Sequence, residues 1–254
     1  MVNGLDKFKE YFAGYEGNYV LIGGAASNLI EEENFLVPRA TKDLDIILVV
    51  EALTDSFVHK FWEFIKDAGY EHRQKGSEKA EFYRFYRPSK PEFPFQIELL
   101  SRKPDMIAIP GNIVVGPIPV GEELSSLSAI MLNDEYYHFT IEHSYIYEGV
   151  HIAKNVALIV LKAKAYINLR EAKASGQHVN SGDITKHKND IIRMGTTLRV
   201  DERVDCSKQI SEDMARFFDL VTDDLPNDDF MNRIGAGGIT VAQSLNAIRK
   251  TFLM

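Results

Sequence analysis

Cysteine is almost absent from this sequence, which has only Cys206 among its 254 residues. A disulfide framework within the chain is therefore excluded, and this cysteine usage fits a reducing compartment. Long apolar runs are also missing, since none approaches the roughly 20 residues that a membrane-spanning helix needs. The first residues have neither the charged nor the apolar region of a secretory signal peptide. We therefore expect a cytoplasmic protein without a membrane partner.

The sequence also has fewer positively than negatively charged residues. The 29 lysines and arginines are outnumbered by 37 aspartates and glutamates, which gives a formal net charge of −8. This balance argues against nucleic-acid binding over the whole surface but leaves room for a local basic patch. Residues 72–90 form such a patch, with six lysines and arginines interleaved with aromatic residues. The mixture suits single-stranded RNA, while the alternation within 82–87 indicates a strand, and the two interpretations are compatible.

The order of the apolar patterns indicates an α+β fold in two domains. Runs typical of strands alternate with helical patterns as far as residue 153, and helical patterns dominate from residue 154. We therefore expect a mixed-sheet domain over 1–153, with helices on one side of the sheet, followed by a helical domain over 154–254. Within the first domain we expect a hairpin with strands at 129–132 and 136–141, joined through Asn133-Asp134.

The stretch from residue 18 to residue 50 carries the strongest local signal. It opens with the apolar run 19–22, which has the length and β-branched content of a buried strand. Gly23 and Gly24 follow directly, and residues 25–33 have a helical pattern, so the glycines lie at a strand-to-helix turn. The unpaired backbone N–H groups of such a turn point beyond the end of the strand and favour a phosphate group.

Two aspartates open the next strand. Residues 43–50 end in five large apolar residues, which predicts a strand with Asp43 and Asp45 on one face, about 7 Å apart. Such a pair is often a solvated strand end, but beside a glycine turn it indicates a divalent-metal site next to a phosphate site. Glu98, inside the apolar run 95–100, is either an edge residue that points to water or the third carboxylate of this site.

Together these residues resemble the signature of the nucleotidyltransferase superfamily. Gly23-Gly24, then Arg39-x-Thr41-x-Asp43-x-Asp45 running into a hydrophobic strand, are similar in particular to the AbiEii/AbiGii branch. Members of that branch are nucleotidyltransferase-type toxins of bacterial abortive-infection and toxin–antitoxin systems. The resemblance spans residues 18–195. It implies a palm-type sheet domain followed by a helical domain, with the active site in the cleft between them.

The resemblance also implies roles for individual side chains. Asp43, Asp45 and Glu98 would hold Mg²⁺, with two ions expected, and Asp45 or Glu98 would also draw a proton from the attacking hydroxyl. The residues implied at the nucleotide are Gly23, Gly24, Arg39, Thr41, Lys162, Lys186 and Asp190. Lys162 matches the lysine that the family places on a helix against its active site, and is counted among the catalytic residues. Lys186 and Asp190 match a Lys-x-x-x-Asp element beside the nucleotide.

Spacing alone favours simpler roles for these lysines. Lys162 lies at the edge of the buried stripe of its helix, where a lysine usually snorkels to water. Lys164, about 200° further round the same helix, is the natural comparison. Lys186, Asp190 and Arg193 at i, i+4 and i+7 also fit a surface salt-bridge ladder, which would be worth little energetically.

The implied reaction is transfer of a nucleoside monophosphate from an NTP to an acceptor hydroxyl, with release of pyrophosphate. By the same resemblance, tRNA or another RNA is a candidate acceptor, and a cognate antitoxin is a candidate protein partner. A second enzyme hypothesis is nucleotidyl transfer to a small molecule or to a protein. A hypothesis from a different class is a catalytically silent nucleotide-binding module.

Overall fold

The computed structural model of the chain describes residues 2–70, 84–100, 130, 133–222, 225–227 and 229–252. Its strands are β1 Tyr19–Ile22, β2 Asp43–Leu48, β3 Arg84–Tyr86, β4 Gln96–Leu100, β5 Ser144–Tyr147 and β6 Val150–Ala153. Its helices are α1 Leu5–Phe12, α2 Gly23–Glu33, α3 Asp55–Ala68, α4 Asp134–Glu142, α5 Asn155–Ala174, α6 Ser181–Gly195, α7 Lys208–Val221, α8 Asp229–Arg233 and α9 Val241–Phe252. No helix within these ranges is long and apolar enough to cross a membrane.

The described strands form one six-stranded sheet in the order β3-β4-β2-β1-β6-β5. It is a mixed sheet, because β1 runs antiparallel to β2 and parallel to β6, while β2 runs parallel to β4. Every residue of the central strand β1 is buried, which accounts for its uninterrupted apolar sequence. The sequence-based prediction of a mixed sheet combined with several helices is therefore confirmed.

An aromatic layer covers one face of this sheet. The ring of Tyr19 in β1 lies 5.1 Å from that of Phe8 in α1. The ring of Phe85 in β3 lies 5.8 Å from that of Phe61 in α3. α1 and α3 therefore pack on the face that carries Tyr19 and Phe85. Successive side chains in a strand point to alternate faces of the sheet. Ile22 and the residues paired with it on neighbouring strands therefore lie on the face without the aromatic layer.

The chain divides into two compact units. The first contains the sheet and is drawn from Met1–Asn28, Arg39–Glu122 and Ser144–Ala153. The second is drawn from Leu29–Pro38, Glu123–His143 and Lys154–Met254. Two segments that precede the expected boundary at residue 153, the C-terminal part of α2 with its following loop and the segment containing α4, thus belong to the second unit.

The helices of the second unit pack through closely fitting side chains. The ring of Tyr166 in α5 lies 5.5 Å from that of Phe217 in α7. A Cβ at Gly195 in α6 would lie 2.3 Å from Ser244 Oγ of α9, so only glycine allows this approach. A further core cluster, against which Leu36 packs, consists of Ile192, Phe230, Met231, Ile234, Ala236 and Val241.

The expected hairpin through Asn133-Asp134 is wrong. Residues 136–141 belong to helix α4, and Asn133 is its N-cap, whose side chain accepts hydrogen bonds from the backbone N–H groups of Glu135 and Tyr136. Its expected first strand, 129–132, lies almost wholly outside the described residues. A hairpin does follow, formed by β5 and β6. Its two-residue turn consists of Glu148 and Gly149, with φ of 46° and 81°.

Most of the basic and aromatic patch 72–90 lies outside the described residues. Within the described part, residues 84–86 form β3, which pairs antiparallel with β4. Phe85 is buried there. The strand interpretation is therefore confirmed for these residues, and RNA binding by the patch stays a prediction.

Candidate functional site

The turn between β1 and α2 is built around its two glycines. Gly23 has a φ of +63°, and a Cβ at this position would lie 1.8 Å from Asp45 Oδ2. A Cβ at Gly24 would lie 2.8 Å from Thr41 Oγ1. Both the backbone angle and the contact therefore require glycine at position 23. The Ser27 hydroxyl donates to the Gly23 carbonyl oxygen at 2.8 Å and closes the first turn of the helix.

The Asp45 carboxylate consequently lies against the N-terminal end of α2. A helix N-terminus carries partial positive charge, so a carboxylate is stabilised there. The same place was expected to attract a phosphate group. A phosphate and a carboxylate side by side repel each other unless a cation lies between them. The geometry of the turn thus favours a cation together with any phosphate that binds.

The pairing of β2 with β4 brings the three predicted acidic residues to one face of the sheet. Asp45 lies directly opposite Glu98, and Asp43 lies opposite Gln96. Asp43, Asp45 and Glu98 are all half-buried. This is the face opposite the aromatic layer, because Asp45 is also paired with Ile22 of β1. Glu98 is therefore next to the aspartates in the sheet, on a strand that has β2 on one side and β3 on the other.

The three acids are not gathered into a preformed metal cage. The Gln96 side-chain amide donates to Glu98 Oε1 at 2.9 Å. Across the described ranges, no group of three or more His, Cys, Asp or Glu side chains is arranged to hold a metal ion. The donor chemistry nevertheless fits Mg²⁺, since hard cations take carboxylate and amide oxygens. Metal binding by these residues stays a prediction.

The segment that leads into β2 carries the other predicted residues of this unit. Thr41 is half-buried with its hydroxyl against Gly24, whereas Arg39 is exposed. Lys42 has its ammonium nitrogen 6.0 Å from the centroid of the Phe95 ring. Thr41 is thus held beside the glycine turn by packing, and Arg39 stands at the surface.

The predicted residues of the helical unit include a buried ion pair. Lys162 Nζ of α5 donates to Asp190 Oδ2 of α6 at 2.8 Å, and their side chains are only 7% and 9% exposed. Lys186, one turn before Asp190, is exposed. Because Asp190 and Arg193 are buried, this face of α6 is not the surface salt-bridge ladder that the spacing suggested. Lys162 also does not snorkel to water.

Lys164, the comparison for Lys162 on the same helix, also forms an ion pair. Its ammonium group donates to both carboxylate oxygens of Asp213, at 2.8 and 2.9 Å. The Tyr136 hydroxyl donates to the same carboxylate. The side chain of Lys164 is 24% exposed. Its replacement would therefore disturb a contact between α5, α7 and α4, which a helical wheel cannot reveal.

Sequence reasoning missed a second buried ion pair in the helical unit. Arg193 Nε lies 3.2 Å from Glu31 Oε1, and Arg193 Nη2 donates to the Val37 carbonyl oxygen at 2.8 Å. The Val37 N–H in turn donates to the Ile234 carbonyl oxygen at 2.9 Å. Glu31 is one of three consecutive glutamates, 31–33, and nothing in that run distinguishes the buried member. These contacts fix the loop that follows α2.

No protein-family model matches this chain, and no curated protein matches it.

Proposed function

We propose that this protein is a metal-dependent nucleotidyltransferase, which moves a nucleoside monophosphate from an NTP to an acceptor hydroxyl and releases pyrophosphate. The observation that carries the proposal is the register of β2 with β4, which sets Asp45 opposite Glu98 with Asp43 on the same face. The contact of the Asp45 carboxylate with Gly23 adds a helix N-terminus to this group. Carboxylates on neighbouring strands beside a phosphate-favouring turn suit this chemistry better than any other.

Charge neutralisation decides how these residues would act. Three carboxylates repel a triphosphate, so they assist its binding only when a cation offsets both. Asp43, Asp45 and Glu98 would hold Mg²⁺, which supplies that charge and polarises the phosphate when bound. Asp45 or Glu98 would also accept the proton of the attacking hydroxyl, since carboxylates are suited to general base catalysis.

The remaining residues would bind and orient the nucleotide. The backbone N–H of Gly24 would face the triphosphate, and the Thr41 hydroxyl beside Gly24 would donate to a phosphate oxygen. Arg39 and Lys186, both exposed, would add positive charge. We propose that Lys162 does the same and that the hydrogen bond to Asp190, 2.8 Å away, orients its ammonium group.

For the acceptor and for the partner, the support is the resemblance to AbiEii-type proteins. On that ground we propose an RNA hydroxyl, with tRNA as the first candidate, and a cognate antitoxin as the protein partner. Transfer to a small molecule or to a protein, and nucleotide binding without transfer, are the competing outcomes of the test.

The test is incubation of the purified protein with each α-³²P-labelled NTP and Mg²⁺, in parallel with total RNA, purified tRNA, or no added acceptor. We expect label to appear in RNA with one preferred NTP, and Asp43→Asn to abolish it. Label in the protein itself or in a small product would move the acceptor to the second hypothesis. NTP binding without label in any product would support the silent module.

A further inference from the structure

A serine–histidine pair on the β5–β6 hairpin has no part in the transfer described above. Ser144 Oγ and His151 Nε2 are 2.7 Å apart, and His151 Nδ1 is 2.9 Å from the Glu16 backbone carbonyl oxygen. A carbonyl oxygen only accepts hydrogen bonds, so Nδ1 must carry the proton. In the neutral ring Nε2 is then an acceptor, and the Ser144 hydroxyl donates to it.

These three groups are the parts of an activated nucleophile. A hydroxyl lies within hydrogen-bond reach of a base, and a third group fixes the orientation and tautomer of that base. Ser144 and His151 are both half-buried, so neither is sealed in the core. We propose that Ser144 is a nucleophile activated by His151 and that it reacts with carboxylic esters.

The position of the pair in the sheet indicates the class of substrate. Ser144 pairs with Ala153, Ala153 stands next to Ile22 through the pairing of β6 with β1, and Ile22 pairs with Asp45. Ser144 and Asp45 thus share a row and a face, three strand spacings or about 14 Å apart. Without a bound cation, the carboxylates on this face disfavour an anionic phosphate ester and tolerate a neutral carboxylic ester.

The reaction follows the chemistry of an acyl-enzyme. Ser144 Oγ attacks the ester carbonyl carbon while His151 Nε2 takes the hydroxyl proton, and the Glu16 carbonyl oxygen stabilises the imidazolium through Nδ1–H. The bond to the alcohol breaks, and His151 returns the proton to the departing alkoxide. Water then attacks the acyl group with His151 again as the base, which releases the acid and restores Ser144.

The experiment uses the whole chain, a fluorophosphonate probe that phosphonylates activated serines, and p-nitrophenyl acetate as the ester. Intact mass should show one adduct, and peptide mapping should place it on Ser144. Ser144→Ala should remove both the adduct and the hydrolysis, and His151→Asn should slow hydrolysis by roughly 100-fold. Matched controls in the same unit are Ser56→Ala and His59→Asn, both exposed on α3, which should behave as the wild type.

An unlabelled wild-type protein, or an adduct on another residue, would overturn the proposal, and the hydrogen bond would then only tie β5 to β6. Equal hydrolysis by His151→Asn and the wild type would overturn it as well. Both readouts use protein without NTP, so they succeed or fail independently of nucleotidyl transfer. Because the adduct is mapped on the wild type, a variant that does not fold leaves the test intact.

Discussion

Lys162→Met tests how much the buried ion pair between Lys162 and Asp190 stabilises the helical unit. The substitution keeps an aliphatic side chain of similar length and removes the ammonium group. It leaves the Asp190 carboxylate, only 9% exposed, without the partner that lies 2.8 Å away. Breaking a buried ion pair is costly in a medium of low dielectric constant, so the loss should far exceed that at a surface lysine.

The expected loss follows from measured cases of the same kind. Breaking a buried pair by removing one partner costs about 3–5 kcal/mol. In a protein of this size each 1 kcal/mol lowers Tm by about 2–4 °C, so the variant should melt about 6–20 °C below the wild type. The double variant Lys162→Met/Asp190→Leu removes both charges and should recover most of the loss.

The assay is thermal and urea unfolding followed by circular dichroism. Lys250→Met is the matched control, because Lys250 is exposed near the end of α9, and its free energy of unfolding should change by less than about 0.5 kcal/mol. Calorimetry with an NTP and Mg²⁺ on Lys162→Met and Lys250→Met then tests the proposed contact of Lys162 with the triphosphate by measuring NTP affinity. Affinity should fall by one to two decades for Lys162→Met only, since a hydrogen bond to a charged group is worth about 1.5–3 kcal/mol. A Lys162→Met protein as stable as the control would refute the reasoning.

Three further experiments test other parts of the structure. Gly23→Ala should abolish transfer, because its Cβ would collide with the Asp45 carboxylate. The control is Gly14→Ala, which has a φ of +85° and open space around it. It should lower the free energy of unfolding in urea by only about 1–2 kcal/mol and keep activity. Arg193→Met should lower the free energy of unfolding by about 3–5 kcal/mol, because its carboxylate partner is buried; a loss below 1 kcal/mol would contradict this. Cys206 has its pKa raised to about 11 by burial and by the neighbouring carboxylate, so at pH 8 it should react with a disulfide reagent about tenfold more slowly than after unfolding. Equal rates before and after unfolding would contradict a raised pKa for the Cys206 thiol.

The elements that the sequence predicted well are those whose local signals agree. The run 19–22 is apolar throughout and forms β1 as predicted, because a central strand is buried on both faces. Residues 25–33 have a helical pattern and lie within α2, which begins two residues earlier, at Gly23. In both cases the apolar pattern of the segment and the residues around it favour the same element of secondary structure.

The hairpin error shows where local signals conflict. Tyr, Phe and Ile within residues 136–141 favour a strand, and Asn133-Asp134 resembles a turn. The same Asn133 serves as a helix N-cap, and packing of α4 outweighs the intrinsic preference of its aromatic residues. The true hairpin was missed because its turn is Glu148-Gly149, which lacks the usual Asn-Gly or Asp-Gly signal.

The contacts that build the candidate sites depend on residues far apart in the sequence. The aspartate pair was visible locally, but its alignment with Glu98 depends on the register of two strands, which a single-strand pattern does not specify. Arg193 and Glu31 are separated by 162 positions, and the partner of a buried charge is chosen by tertiary packing. The resemblance proposed roles for Lys162 and Asp190, whereas only the fold shows that they pair with each other.

Metal-dependent pyrophosphate release is the most direct measurement of the central claim. Wild type, Asp45→Asn and Asp55→Asn would be compared at saturating Mg²⁺ with the preferred NTP and RNA; Asp55 is an exposed aspartate at the start of α3 and serves as the control. We predict release by the wild type and by Asp55→Asn, its loss in chelator, and no release by Asp45→Asn although that variant remains folded. Wild-type turnover by Asp45→Asn would contradict the assignment of the acidic face as the site of transfer.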